Sequence, residues 1–277
     1  ILSDCFEISE AAKQMSKMTA IMAIIPISCF IFGGFLAEFL GWRINLIALG
    51  VISLILIILI SLLLQETLLN KAKSVSFKNI FIVYKGLIKN NSFNFFTITT
   101  AMQTSMFFAM NGFMPYEFER KGVSISEFGI WFSLTSVGYI FGNIINSKLT
   151  PMVGLEKMCF VGTVCSFCTV FIFFLNNNLV ENGPLTLSLI CVLFGCSNGF
   201  AVANSMTGAI NSSKLNKGAA SGLMGAFQVG SGGLAGFLII YFGGAENFNI
   251  CLFALFIMSG ISIISSYLVL YRKKMII

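Results

Sequence analysis

Eight stretches of this chain contain no Asp, Glu, Lys or Arg: 18–37, 44–65, 90–116, 128–147, 158–180, 182–213, 218–245 and 247–271. Each is at least 20 residues long, the length an α-helix needs to cross the hydrocarbon core of a bilayer. Barrel strands would be about 10 residues long and alternate with period two, and no such alternation is present. The pattern predicts an all-α polytopic membrane protein with eight transmembrane helices.

The polar segments between these stretches predict the organisation. The longest, 65–92, carries Glu66 and five lysines. It separates two predicted helices (1–64) from a six-helix bundle (93–277) and reads as a basic cytoplasmic linker. Within it, Ile80 to Leu87 is apolar enough for a short helix on the membrane surface. The remaining connections are short, which predicts that sequential helices are antiparallel neighbours.

Charge then sets the orientation. Of the 17 Lys and Arg residues, Arg43, Arg120 and Lys121 fall on one side and the other 14 on the opposite side. By the positive-inside bias, both termini of the chain are cytoplasmic. The first residue, Ile1, is not Met, and no signal-peptide pattern follows it. That start points to further sequence upstream.

Composition narrows the function classes. Only 10% of residues are charged and 57% are hydrophobic, with mean hydropathy +0.91. Such a chain lacks the polar surface of a soluble enzyme. The absence of histidine excludes His-ligated metal sites and His-based triads. The net charge of +6 suits anionic lipid headgroups rather than nucleic acid. Cys165 and Cys168 have CxxC spacing but sit midway along an apolar stretch with no second pair, so no metal, cofactor or catalytic residue is expected.

Small and amide side chains supply the candidate functional positions. Pro26, Gly33 and Gly34 in the first stretch suit a kinked gating helix or close helix packing. Gly222, Gly225, Gly232 and Gly236 belong to a run of nine glycines between Gly218 and Gly244 and read as contact positions of a sliding helix. Gln103, Phe107, Met110 and Met114 follow helical spacing, a stripe suited to greasy substrates of varied shape. Asn111, Tyr139, Asn143, Asn198 and Gln228 complete the substrate-lining candidates, although interhelical bonding is the default for buried amides. Glu38 ends the first stretch where water can reach it. No carboxylate lies deep in any stretch, and a proton-coupled pump needs a titratable group at depth.

An internal echo links Gly33-Gly34-Phe35-Leu36 to the run from Gly232 to Leu238, offset by six helices. Parallel six-helix repeats occur in transporters. Together with Leu40-Gly41-Trp42-Arg43, Glu66-Thr67-Leu68, Glu127-Phe128-Gly129, Gly142-Asn143 and Gly218-Ala219-Ala220-Ser221-Gly222, this order resembles helices five to twelve of the major facilitator superfamily. More narrowly it is similar to the Bcr/CflA group of bacterial drug-efflux permeases. In the family's fifth-helix antiporter motif a proline usually precedes the Gly-Gly pair; Phe30 stands there in this chain.

The resemblance implies a partial twelve-helix fold in a bacterial inner membrane. The four remaining helices would come from upstream sequence or another chain. It also implies a secondary transporter of small amphipathic substrates, working by alternating access and proton-coupled when complete. A non-transporting membrane remnant or scaffold is the alternative, and it predicts that the buried polar residues pair with each other and leave no cavity. A lipid-modifying enzyme or a channel would need acid–base, metal or charged-ring groups that the sequence does not present.

Overall fold

The computed structural model describes residues 8–63, 77–179, 183–212 and 217–276, with side chains described for 24–63, 81–179, 183–212 and 217–271. These residues form nine helices: α1 (Ile8–Leu40), α2 (Arg43–Leu63), α3 (Phe77–Ile88), α4 (Asn91–Arg120), α5 (Ile125–Val153), α6 (Leu155–Leu179), α7 (Pro184–Asn211), α8 (Lys217–Tyr241) and α9 (Phe248–Ile276). Over its described residues each uncharged stretch is carried by a single helix, only its ends (Asn90, Gly183, Ser212, 242–245 and Asn247) falling in turns or connections, and the short helix expected over Ile80 to Leu87 is present as α3. The rest of the linker, 65–76, lies outside the described residues.

Local chemistry sets the helix ends. At the start of α5, Ser124 and Glu127 form a reciprocal capping box, with the Ser124 N–H donating to Glu127 Oε2 at 3.0 Å. Asn90 joins two helices: its Oδ1 accepts from the Ser92 and Phe93 N–H groups that open α4. Its Nδ2 donates to the Ser212 carbonyl just past α7 (3.0 Å). Gly41 at φ 82° makes the turn from α1 into α2, a conformation costly for any residue with a Cβ.

Six helices, α2 and α5 to α9, are long and apolar enough to cross a membrane; Ile24–Leu40, the part of α1 whose side chains are described, is apolar but shorter than a full span, and α4 does not meet that standard. The exception of α4 has a physical reason. Its polar Thr97, Thr99, Thr100, Gln103 and Thr104 are buried among other helices, so the helix need not be apolar on every side. The reverse holds for α2, of which no residue is buried. Its leucines and isoleucines are almost all exposed, a surface that suits lipid or further apolar helices.

The six helices α4 to α9 pack around α4 and α7. Extensive contacts join α5 to α7, α4 to α8, α6 to α7, and α9 to both α4 and α6; α1 packs along α5, and α2 touches α1. Sequence neighbours α4/α5, α5/α6 and α8/α9 meet only slightly, whereas α6/α7 pack extensively, so the expectation that short loops make adjacent helices partners holds for α6/α7 and fails for those three pairs. Short loops fix direction. Small residues decide partners.

The α5/α7 seam shows this best. Gly138 and Gly142 on α5 lie against the backbone of Val192 and Cys196, while Gly195 and Gly199 on α7 lie against that of Thr135 and Tyr139. Each pair has small-xxx-small spacing, which lets two backbones approach in lipid. An added Cβ at Gly138, Gly142 or Gly195 would collide with a carbonyl oxygen.

Candidate functional site

A cavity of about 250 Å³ opens between α1, α4, α5, α7 and α8, lined by Pro26, Thr104, Phe107, Phe108, Thr135, Ser136, Tyr139, Gly195, Asn198, Val202 and Gln228. No charged side chain lines it among the described residues. Four of the seven amide and aromatic candidates of the sequence, Phe107, Tyr139, Asn198 and Gln228, converge there, together with Pro26. Gln228 Nε2 donates to Thr104 Oγ1 at 3.0 Å, tying α8 to α4 and leaving the amide oxygen as an acceptor. Phe107 and Phe108 meet edge to face, with ring centroids 6.1 Å apart.

The other three candidates lie elsewhere. Gln103 is completely buried and is the hub of a network joining four helices. It donates to Ser262 Oγ on α9 (3.0 Å) and accepts from Ser166 Oγ on α6 (2.8 Å) and Asn198 Nδ2 on α7 (3.3 Å). Asn198 also donates to the Gln103 backbone carbonyl at 3.0 Å. Both its amide hydrogens are thus committed, and its carbonyl oxygen is the part left to face the cavity. Asn111 donates to the Phe107 carbonyl (2.7 Å) and Asn143 to the Tyr139 carbonyl (2.9 Å), each one turn back on its own helix. Neither lines the cavity.

The glycines divide in the same way. Gly34 packs against the backbone of α5 at Ile125 and Gly129, and Gly232 and Gly236 receive Phe108 of α4. Gly33, Gly222 and Gly225 have no neighbouring atom where a Cβ would stand. Sequence reading missed Thr104, Phe108, Thr135, Ser136 and Val202 as lining residues; their types carry no signal apart from position. The Gly138/Gly142 and Gly195/Gly199 pairs, by contrast, were findable from their spacing.

On the side of the cavity toward the α1–α2 turn, α1 is closed against α5. Phe30 meets Phe132 edge to face at 5.0 Å, and Phe132 stacks on Phe128 at 5.3 Å. One turn further along α1, Gly34 touches the α5 backbone. At the end, the Glu38 carboxylate accepts the Ser126 N–H at 2.6 Å, at the start of α5, where a helix N-terminus favours negative charge. The phenylalanine standing in place of the motif proline is therefore a packing residue at this seam. Nearby, the buried Glu117 at the end of α4 pairs with Arg120 (2.6 Å) and Lys121 (3.7 Å), and Arg120 also reaches the Ala245 carbonyl between α8 and α9. Glu117 falls one residue beyond the uncharged stretch ending at 116 and was not singled out in the sequence.

Comparison with known proteins agrees with this architecture. The chain is 23% identical over 252 residues to a bicyclomycin resistance protein homolog of Haemophilus influenzae, covering 86% of the chain and 60% of the relative. The chain thus spans about three fifths of that relative's length, and the likeness agrees with the Bcr/CflA type. The profile of the Major Facilitator Superfamily matches residues 1–239. With its buried helix pairs, neutral central cavity and family profile in agreement, the chain belongs to the Major Facilitator Superfamily, a family of membrane transporters rather than enzymes.

Proposed function

We propose that this chain forms part of a secondary transporter that exports small amphipathic compounds by alternating access. The complete transporter is coupled to protons and sits in a bacterial inner membrane, with the lysine-rich ends of this chain in the cytoplasm. The observation that carries this is the cavity. Its walls combine Phe107, Phe108 and Tyr139 with the amides of Asn198 and Gln228, an apolar enclosure with a few placed polar groups as expected for a small-molecule site. The relative's name, a resistance protein for bicyclomycin, supports drug-like cargo.

The organisation fits the same proposal: residues 1–64 as two helices of one bundle, 65–92 as the linker and 93–277 as the second bundle, with four further helices completing the first. Pro26 and the α1–α5 seam then lie between moving parts, with Gly33 and Gly34 as gating positions. Coupling to protons requires a titratable group at depth. The lining described here has none, so that group is assigned to the completing helices.

The scaffold alternative rests on extensive polar pairing. Besides the Gln103 hub, Asn204 donates to Asn146 (2.7 Å) and Thr163 bonds Ser266 (2.8 Å). A cavity nonetheless remains beside these pairs, which favours transport. The test is dye uptake by everted membrane vesicles containing the protein and its completing helices. Phe107→Ala and Gln228→Leu should each reduce uptake severalfold at unchanged protein level. Unaltered uptake in both would remove the cavity as the substrate site, and no uptake by the parent protein would favour the scaffold.

A further inference from the structure

No described residue of helix α3 lines the cavity, and part of the helix is exposed. One face is docked on the bundle: Val83, Tyr84 and Leu87 pack into a cluster with Phe93, Phe96, Ala220 and Met224 from α4 and α8. Its corner with α4 is held by Asn94 Nδ2, which donates to the Ile88 carbonyl at 2.6 Å, and by the Asn90 cap. The opposite face is therefore held in one orientation.

That exposed face interleaves two chemistries. Phe81, Ile82 and Ile88 are 70%, 57% and 53% exposed; the exposed Lys85 lies among them, and the exposed Lys89, in the turn just past α3, follows it by four residues, its N–H donating to the Lys85 carbonyl. In water such a face would leave three large apolar side chains solvated without return. At a headgroup–acyl boundary both halves are satisfied: the rings and branched chains enter the hydrocarbon edge while the lysine stems carry their charge back to the phosphates. No acidic residue occurs anywhere from 77 to 116, so neither α3 nor the helix after it up to Tyr116 offers these lysines a carboxylate. Lys217, exposed at the start of α8, adds charge of the same sign on a helix that α3 packs against.

We propose that the exposed face of α3 is a docking surface for anionic phospholipid headgroups, with Lys85 and Lys89 on the phosphates and Phe81, Ile82 and Ile88 seated at the acyl boundary. This surface anchors the ends of α4 and α8 to one leaflet and stands independently of what the cavity carries. A lysine near an anionic surface is worth about fivefold in local enrichment, so the two together should make the lipid beside α3 strongly biased.

The test uses the full chain carrying Phe81→Trp, reconstituted into vesicles with equal mole fractions of brominated phosphatidylglycerol or brominated phosphatidylcholine. The parent protein supplies the background from Trp42 and Trp131. The indole introduced at 81 should be quenched severalfold more by the brominated anionic lipid. The preference should vanish in Lys85→Gln/Lys89→Gln, persist in Lys85→Arg/Lys89→Arg and weaken as salt is raised. Equal quenching by the two lipids, or a preference that survives the glutamine variant, overturns the proposal. Absence of quenching by either lipid does so too, because α3 then lies off the membrane.

Discussion

Replacing Gln103 with leucine keeps most of the side chain's bulk and deletes an amide shared by four helices. Three side-chain bonds disappear: to Ser262 (3.0 Å), from Ser166 (2.8 Å) and from Asn198 (3.3 Å). Interhelical hydrogen bonds in membrane proteins average about 0.6 kcal/mol each, which sums to about 2 kcal/mol. Two of the partners are not left bare. Ser166 still bonds Ser197 (3.0 Å), and Asn198 still donates to the backbone carbonyl of residue 103 (3.0 Å), so a much larger loss is not expected. At about 2–4 °C per kcal/mol for a protein approaching this size, Gln103→Leu should lower Tm by about 4–8 °C. Gln228→Leu loses one half-buried bond to Thr104 and should lower it by about 1–2 °C, although it lines the cavity and should be the more harmful to transport. Heating the purified protein with a thiol-reactive fluorophore reads this directly, because Cys159, Cys191 and Cys251 are buried free thiols that react on unfolding. Equal shifts for the two variants, or an unchanged Tm for Gln103→Leu, would refute the assignment of Gln103 to the scaffold and Gln228 to the site.

Two further outcomes separate positions that look alike in the sequence. Gly142→Ala pushes a methyl group into the Cys196 carbonyl and should cost about 1–3 kcal/mol by overpacking. Gly222→Ala meets open space in this chain and should be neutral or stabilising by up to about 1 kcal/mol through helix propensity; the same thermal assay compares them, and similar losses at both would contradict the seam described for α5 and α7. For orientation, reporter fusions after Asn45 and after Lys71 should report opposite compartments, and the same compartment for both would break the assigned topology.

Much of the candidate site was legible because one physical constraint governs both the helices and their lining. In lipid a strong polar side chain must face protein or a cavity, so Asn198, Gln228, Tyr139 and Gln103 could be picked out as inward-facing from residue type alone. Which of them faces substrate could not. Gln103 and Gln228 are the same residue in similar apolar surroundings; only the arrival of Ser166, Asn198 and Ser262 from three other helices consumes the Gln103 amide. Asn111 and Asn143 were lost to their own helices for a local reason, a carbonyl one turn back within reach. Phe108 escaped notice because its partners, Gly232 and Gly236, lie more than a hundred residues away.

The amino-acid sequence by itself determined that this chain is helical, lies in a membrane and belongs with transporters. Hydrocarbon leaves the backbone no other means of satisfying its hydrogen bonds, so long uncharged runs carry the architecture locally. Which helices touch, and therefore which glycines are seams and which amides are free, was decided only in three dimensions. Those outcomes depend on carbonyl oxygens and hydroxyls brought from distant segments to within 3 Å or so, and helix periodicity records the face of a residue but not its neighbour.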